Sequence, residues 1–198
     1  MTASALLLLT GYAFISIATP GPNNLMLMAS GANFGCRRTV AHMLGISIGM
    51  VSMLLLTGFG ISQLFAAVPA SYDILRVLSV SYMLYLAYKI LNIGSFDADN
   101  RNNQPMSIIQ AAAFQWVNPK AWAMALTAIS VYLPNTELSS IVIAAIVFGL
   151  VCLPSNLAWT LLGEKIKQLL SSIHRRRLFN YTMAGLLLLS LYPILFSQ

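Results

Sequence analysis

The sequence predicts an all-α integral membrane protein: six transmembrane helices forming two inverted three-helix repeats, with the first and fourth helices broken. Three observations lead there: an apolar composition, six runs long enough to span a bilayer, and a matched pair of Asn/Pro interruptions. Of 198 residues, 58% are hydrophobic and only 8% charged, with a mean hydropathy of +0.77. A soluble domain carries about 25% charged residues. The length suits one transmembrane domain over 1–198, divided into a first repeat (1–93), a loop (94–106) and a second repeat (107–198).

A spanning helix needs about 20 apolar residues. Six segments qualify, near 3–35, 40–64, 70–92, 107–133, 137–162 and 178–197. Val68-Pro69-Ala70-Ser71 precedes the third, and Leu133-Pro134-Asn135 closes the fourth. The polar linker from Gly94 to Gln104, with Asp97, Asp99 and Arg101, separates the halves. Ser16-Ile17-Ala18 has the form of a signal-peptidase site, but no Lys or Arg precedes the apolar stretch, so the first segment reads as a retained helix.

The basic residues orient the spans. Nine of the eleven fall in the first loop (Arg37, Arg38), around the third (Lys89, Arg101) and in the fifth (Lys165, Lys167, Arg175, Arg176, Arg177). Those loops are expected to be cytoplasmic, which places both termini outside. Orientation explains the net charge of +6 better than nucleic-acid binding does, so no nucleic-acid partner is expected. Arg76 lies beside Asp73 on the opposite side, and Lys120 stands inside a membrane segment.

Within the first run, Thr19-Pro20-Gly21-Pro22-Asn23-Asn24 interrupts the helix. Proline lacks an N–H and disfavours α geometry at the residue before it. In hydrocarbon such a break persists only where protein or a water-lined cavity satisfies the freed backbone groups. Gln115-Trp116-Val117-Asn118-Pro119-Lys120 repeats the anomaly in the fourth run, and a shift of 97 residues lays Pro22 on Pro119. Three spans per half is an odd number, so the halves have opposite orientations, the arrangement in which broken helices meet at the bilayer midplane.

The residues expected to bind solute are Pro20, Gly21, Pro22, Asn23, Asn24, Gln115, Asn118, Pro119, Lys120 and, from the Pro154-Ser155-Asn156 cluster of the fifth span, Asn156. Opposed half-helix N-termini present free amides and partial positive charge to a carboxylate. The carboxamides of Asn23, Asn24 and Asn118 supply donors and acceptors without charge. Lys120, an intramembrane cation, is a functional candidate for attracting a carboxylate or for coupling. The alternative is that it snorkels or caps backbone carbonyls.

Other features have plainer readings. Gly31–Gly35 and Gly45–Gly49 match GxxxG and serve close packing, within a subunit or between the copies of a homo-oligomer. His42 reads as an interfacial polar residue, and His174 as a solvated one. Cys36 and Cys152 lack CxxC spacing and read as apolar fillers. The acids Asp73, Asp97, Asp99, Glu137 and Glu164 lie near loops or helix ends, so no metal site is expected. No cofactor is expected. Absence of a Ser/His/Asp set, HExxH or a nucleotide-binding glycine loop argues against an enzyme or an ATP-driven pump.

The first motif, with the small-residue run ending in Gly31-Ala32-Asn33-Phe34-Gly35, resembles the signature of the LysE/RhtB amino-acid exporter family. Asn118-Pro119-Lys120-Ala121 resembles its second motif, and the likeness covers the whole chain. The pattern is most similar to the cysteine/O-acetylserine exporter branch. The resemblance implies a multi-pass protein of the bacterial inner membrane. It further implies export of amino acids or close derivatives, with a proton as coupling ion. Lacking a mid-membrane acid, the chain suits small neutral substrates such as cysteine, O-acetylserine, threonine or homoserine. A passive channel and a non-transporting membrane scaffold are the alternative readings.

Overall fold

In the computed structural model the described residues are 1–61, 68, 70–92, 104–133 and 137–192. The Asp97, Asp99 and Arg101 linker, the Pro69 and Pro134 boundaries and the end of the sixth predicted span lie outside them. The described residues form helices and no strand. In chain order these are α1 (Ala3–Ala18), α2 (Pro22–Phe34), α3 (Cys36–Leu56), α4 (Ala70–Leu91), α5 (Ile108–Val117), α6 (Pro119–Thr127), α7 (Leu138–Lys167) and α8 (Ile173–Leu189). Wider turns at Thr57–Ile61 and Ala128–Tyr132 extend α3 and α6.

Both expected breaks are present. Between α1 and α2 the chain bends by 54°, and Asn118 leaves helical geometry between α5 and α6 at φ −90°, ψ 109°. Each second half starts at a proline, whose missing N–H is no loss at a helix's first position.

Among the described residues three helices are long and apolar enough to cross a membrane, or four if the bent α1–α2 pair is one span. The fourth expected span is divided into a ten-residue α5 and a nine-residue α6. At 1.5 Å per residue α5 covers only about half of a 30 Å hydrocarbon core. α8 begins earlier than expected, so Arg175, Arg176 and Arg177 occupy its first two turns, not a loop. Ser172 caps that start by accepting from the Arg175 amide.

The helix α3 is the most enclosed of the long helices, packing on α7 and α5, while α2 packs on α7 and α4 on α8. Lipid tails are as apolar as leucine, so close backbone approach matters more here than burial. A Cβ on Gly31 would stand 2.1 Å from the Thr160 carbonyl oxygen, and one on Gly163 2.0 Å from that of Met28. α2 and α7 therefore touch backbone to backbone. Gly45 and Gly49 do the same for α3, facing the Ile108 oxygen and Gln115 Cγ at 2.5 Å each. The second GxxxG pair thus packs helices of one chain. Gly35 acts differently, since its φ of 83° turns the chain from α2 into α3.

The α2–α3 corner and the end of α7 are neighbours, since Glu164 lies beside Gly35 and Asn33 donates to Asn180 of α8 at 3.1 Å. Arg37, Arg38, Lys165, Lys167 and the Arg175–Arg177 run therefore gather at one end of the bundle. Outward faces are apolar, with Leu7, Phe14, Val77, Ile109, Leu150 and Leu189 exposed.

Candidate functional site

When α1 ends at Ala18 its last carbonyls lose their intrahelical partners. Each finds a donor from elsewhere. Asn24 Nδ2 donates to the carbonyls of Ile17 (2.9 Å) and Thr19 (2.7 Å). Trp159 of α7 donates its indole N–H to the Ala18 carbonyl at 3.3 Å. Lys120 Nζ donates to the Thr19 carbonyl at 2.6 Å, the Thr19 hydroxyl at 3.0 Å and the Pro20 carbonyl at 3.4 Å. A cation at a helix C-terminus also answers the negative end of the macrodipole. The extended Gly21 permits this approach, because a Cβ there would lie 2.7 Å from Lys120 Cδ.

The second break is held by its own residues. The Asn118 amide returns to the Gln115 carbonyl at 3.2 Å, and the Asn118 carbonyl accepts from Ala121 and Trp122. Its Oδ1 accepts the Lys120 amide at 3.1 Å. The Trp122 indole donates to the Trp116 carbonyl at 2.8 Å. Of the two half-helix N-termini, that of α6 is therefore closed by its cap, whereas the first-turn amides of α2 have no intrahelical acceptor.

A reciprocal carboxamide pair joins the breaks. Asn23 Nδ2 donates to Gln115 Oε1 at 2.9 Å, and Gln115 Nε2 returns a bond to Asn23 Oδ1 at 3.1 Å. Beside it lies a cavity of about 20 Å³, bounded by Gly21, Asn23, Asn24, Gln115, Asn118, Lys120 and Asn156 of the expected residues. Pro20, Pro22 and Pro119 shape the breaks without lining it. Asn156 is anchored outward, donating to the Met43 carbonyl at 3.1 Å and to Ser47 at 3.3 Å. Asn118 Nδ2 is buried without a partner, a donor held ready at the cavity wall.

Apart from Ser16, the remaining wall is apolar and was not legible beforehand: Ile17, Ile46, Met50, Met124 and Cys152 close it. Nothing in sequence spacing brings α3 to the breaks, and of α7 only Asn156 is expected there. Cys152 is buried as expected but borders the cavity as well. Trp159 and Trp122, the two indole caps, were likewise missed. An aromatic one turn past a broken helix is the signal that marks Trp122.

Broken apolar helices meeting at a small polar cavity define a membrane protein built around a polar centre. Comparison with known families gives the same class. The family model for the LysE type translocator matches residues 14–192, and the chain belongs to that family. Its relatives include the cysteine/O-acetylserine efflux proteins of Escherichia coli K12 and Shigella sonnei Ss046, each 30% identical over 190 residues, spanning 94% of this chain and 95% of theirs. The protein of the same name from Escherichia coli O139:H28 is 30% identical over 191 residues, 95% of this chain and 96% of its own. No solved structure matches the chain.

Proposed function

We propose that this protein is a secondary exporter of amino acids or close derivatives across the bacterial inner membrane. The substrates are small and neutral: cysteine, O-acetylserine, threonine or homoserine. The observation that carries the reading is the unpartnered Asn118 Nδ2, buried where the two breaks of a LysE type translocator meet. The substrate carboxylate is received by this donor and by the open first-turn amides of α2, at the positive end of that helix. Its short side chain lies against Met50 and Met124, whose unbranched thioethers adapt to varied shapes. The names of the curated relatives support the same substrate class.

The cavity of about 20 Å³ has room for a water molecule but not for an amino acid. Substrate therefore enters only when the walls separate, which favours alternating access over an open channel. The moving parts are α1–α4 and α5–α8, two inverted repeats of one transporter domain with both termini outside. Their succession is alike: a half-helix, a proline-started half-helix, a long helix and a closing helix. Contacts repeat with it, since α2 packs on α7 as α6 packs on α3. A proton moving the opposite way supplies the driving force.

Efflux against a panel of amino acids tests this directly. Cells expressing the protein are expected to show lower internal pools of, and resistance to, at least one small neutral amino acid. In proteoliposomes, uphill transport is expected to stop on adding an uncoupler. Unchanged pools across the whole panel would sink the reading, and uncoupler-insensitive, non-saturating flux would make it a channel.

A further inference from the structure

A second cavity, of about 30 Å³, lies along the same pair of helices. α2 lends it Met26, Ala29 and Ser30, one to two turns beyond Asn23, and α3 lends it His42, one turn before Ile46 of the first cavity. The two cavities thus stand in file along the α2–α3 groove, the second toward the end that carries Arg37 and Arg38. Lys89 of α4 and Gln104 complete its polar lining.

His42 is the unexpected member. In place of an interfacial residue, the structure has an imidazole 1% exposed, with neither ring nitrogen hydrogen-bonded. Leaving a buried polar atom unmatched is costly, and here two are unmatched at a cavity wall. Lys89 brings a cation to the same wall and has no acidic partner among the described residues. Ser30 contributes the opposite polarity. Thr39 spends its hydroxyl proton on the Gly35 carbonyl at 2.8 Å, so the 2.9 Å contact between Ser30 and Thr39 uses the Ser30 proton. The Ser30 oxygen is left as an acceptor.

A donor and a cation for a carboxylate, and an acceptor for an ammonium, match the head group of a zwitterionic amino acid. A fully ionised phosphate has no donor to offer the last of these. We propose that this His42–Lys89–Ser30 cavity is a second substrate station, which, when its walls part as those of the first cavity must, takes the amino-acid head group from the basic end before it reaches the break site. This rests on the export reading for the identity of the ligand.

Two measurements test it. Lys89→Gln and His42→Gln, assayed in sided proteoliposomes, are expected to raise KM about tenfold for substrate offered at the Arg37–Arg38 end, the loss of roughly one charge-assisted hydrogen bond. kcat, and KM from the other end, are expected to hold. Separately, the full chain in nanodiscs with 15N-labelled histidine and the exposed His174 changed to Asn reports His42 alone, without altering the cavity. Glycine and acetate are expected to shift its signals saturably, less tightly by about tenfold in Lys89→Gln, and methyl phosphate is expected not to. No saturable shift with glycine or acetate overturns the proposal, as does binding of methyl phosphate alone, which would make the cavity a lipid-headgroup site. A wild type that moves no amino acid yet shows the glycine shift fails the export reading and keeps the station; normal transport with unchanged KM and no shift fails the station only.

Discussion

The two helix breaks share a sequence logic and differ in how they are held. At Asn118 the chain mends itself, with the cap, the returning amide and the Trp122 indole all within a few residues of the gap. At the first break the end of α1 and the non-helical residues Thr19–Gly21 expose a longer row of carbonyls, and their donors include Lys120 and Trp159, about a hundred residues or more away. The first break is thus a tertiary structure and the second a local one. A change of packing between the halves releases the first and leaves the second in place.

Substitutions should separate them. The largest effect is expected from Gly163→Val, which drives α7 off α2 and withdraws Trp159 from Ala18. Overpacking against backbone costs about 3 kcal/mol or more. Amide exchange should speed up near residues 15–21 and stay slow near 115–120; equal loosening of both would erase the contrast. Next is Asn24→Ala, which removes the donor to two carbonyls at a cost of about 1–3 kcal/mol. Asn24→Asp is expected not to rescue it, since a carboxylate brings no N–H.

Lys120→Met keeps the apolar stem and deletes the ammonium, with an expected loss of about 1 kcal/mol after allowance for its solvent contact. Export should fall more than stability, measured as efflux per folded protein. A thermodynamic cycle with Asn23→Ala and Gln115→Ala reads the link between the breaks, expected near 0.6 kcal/mol, as for other intramembrane hydrogen bonds. Smallest is Trp122→Phe, expected at about 0.5 kcal/mol by chemical denaturation, because the cap at Asn118 persists without it.

Much of the site was legible because proline and asparagine act locally. Pro22 and Pro119 fix where helices restart whatever surrounds them, so both breaks could be placed from sequence. The reciprocal bonds of Asn23 and Gln115 could not, since a shift between repeats says nothing about distance in space. Lys120 shows the limit most clearly. Its chemistry invited a carboxylate partner, and the structure ties it to the end of α1, the carbonyl-capping alternative. His42 was misjudged because its position near a helix end suggested solvent, while α2 and α4 close over it. The six expected spans depended on run length alone, which does not register that α5 and α6 are each too short to cross.

Lys120 has one more consequence, an electrical one. Among the described residues it is the only charged side chain at the cavity between the breaks, and the amide pair beside it is neutral. A zwitterion crossing such a centre would carry no net charge, so in the proposed exporter the membrane voltage would act on the counter-moving proton and, in a conformational change of this centre, on the ammonium. An elementary charge moved through the whole field is worth about 2.3 kcal/mol per 100 mV, and a shift through a tenth of it about 0.2 kcal/mol. If the ammonium stays with the end of α1 as that helix moves, the charge displacement lost in Lys120→Met, with the proton gradient held at zero, measures how far the first break travels.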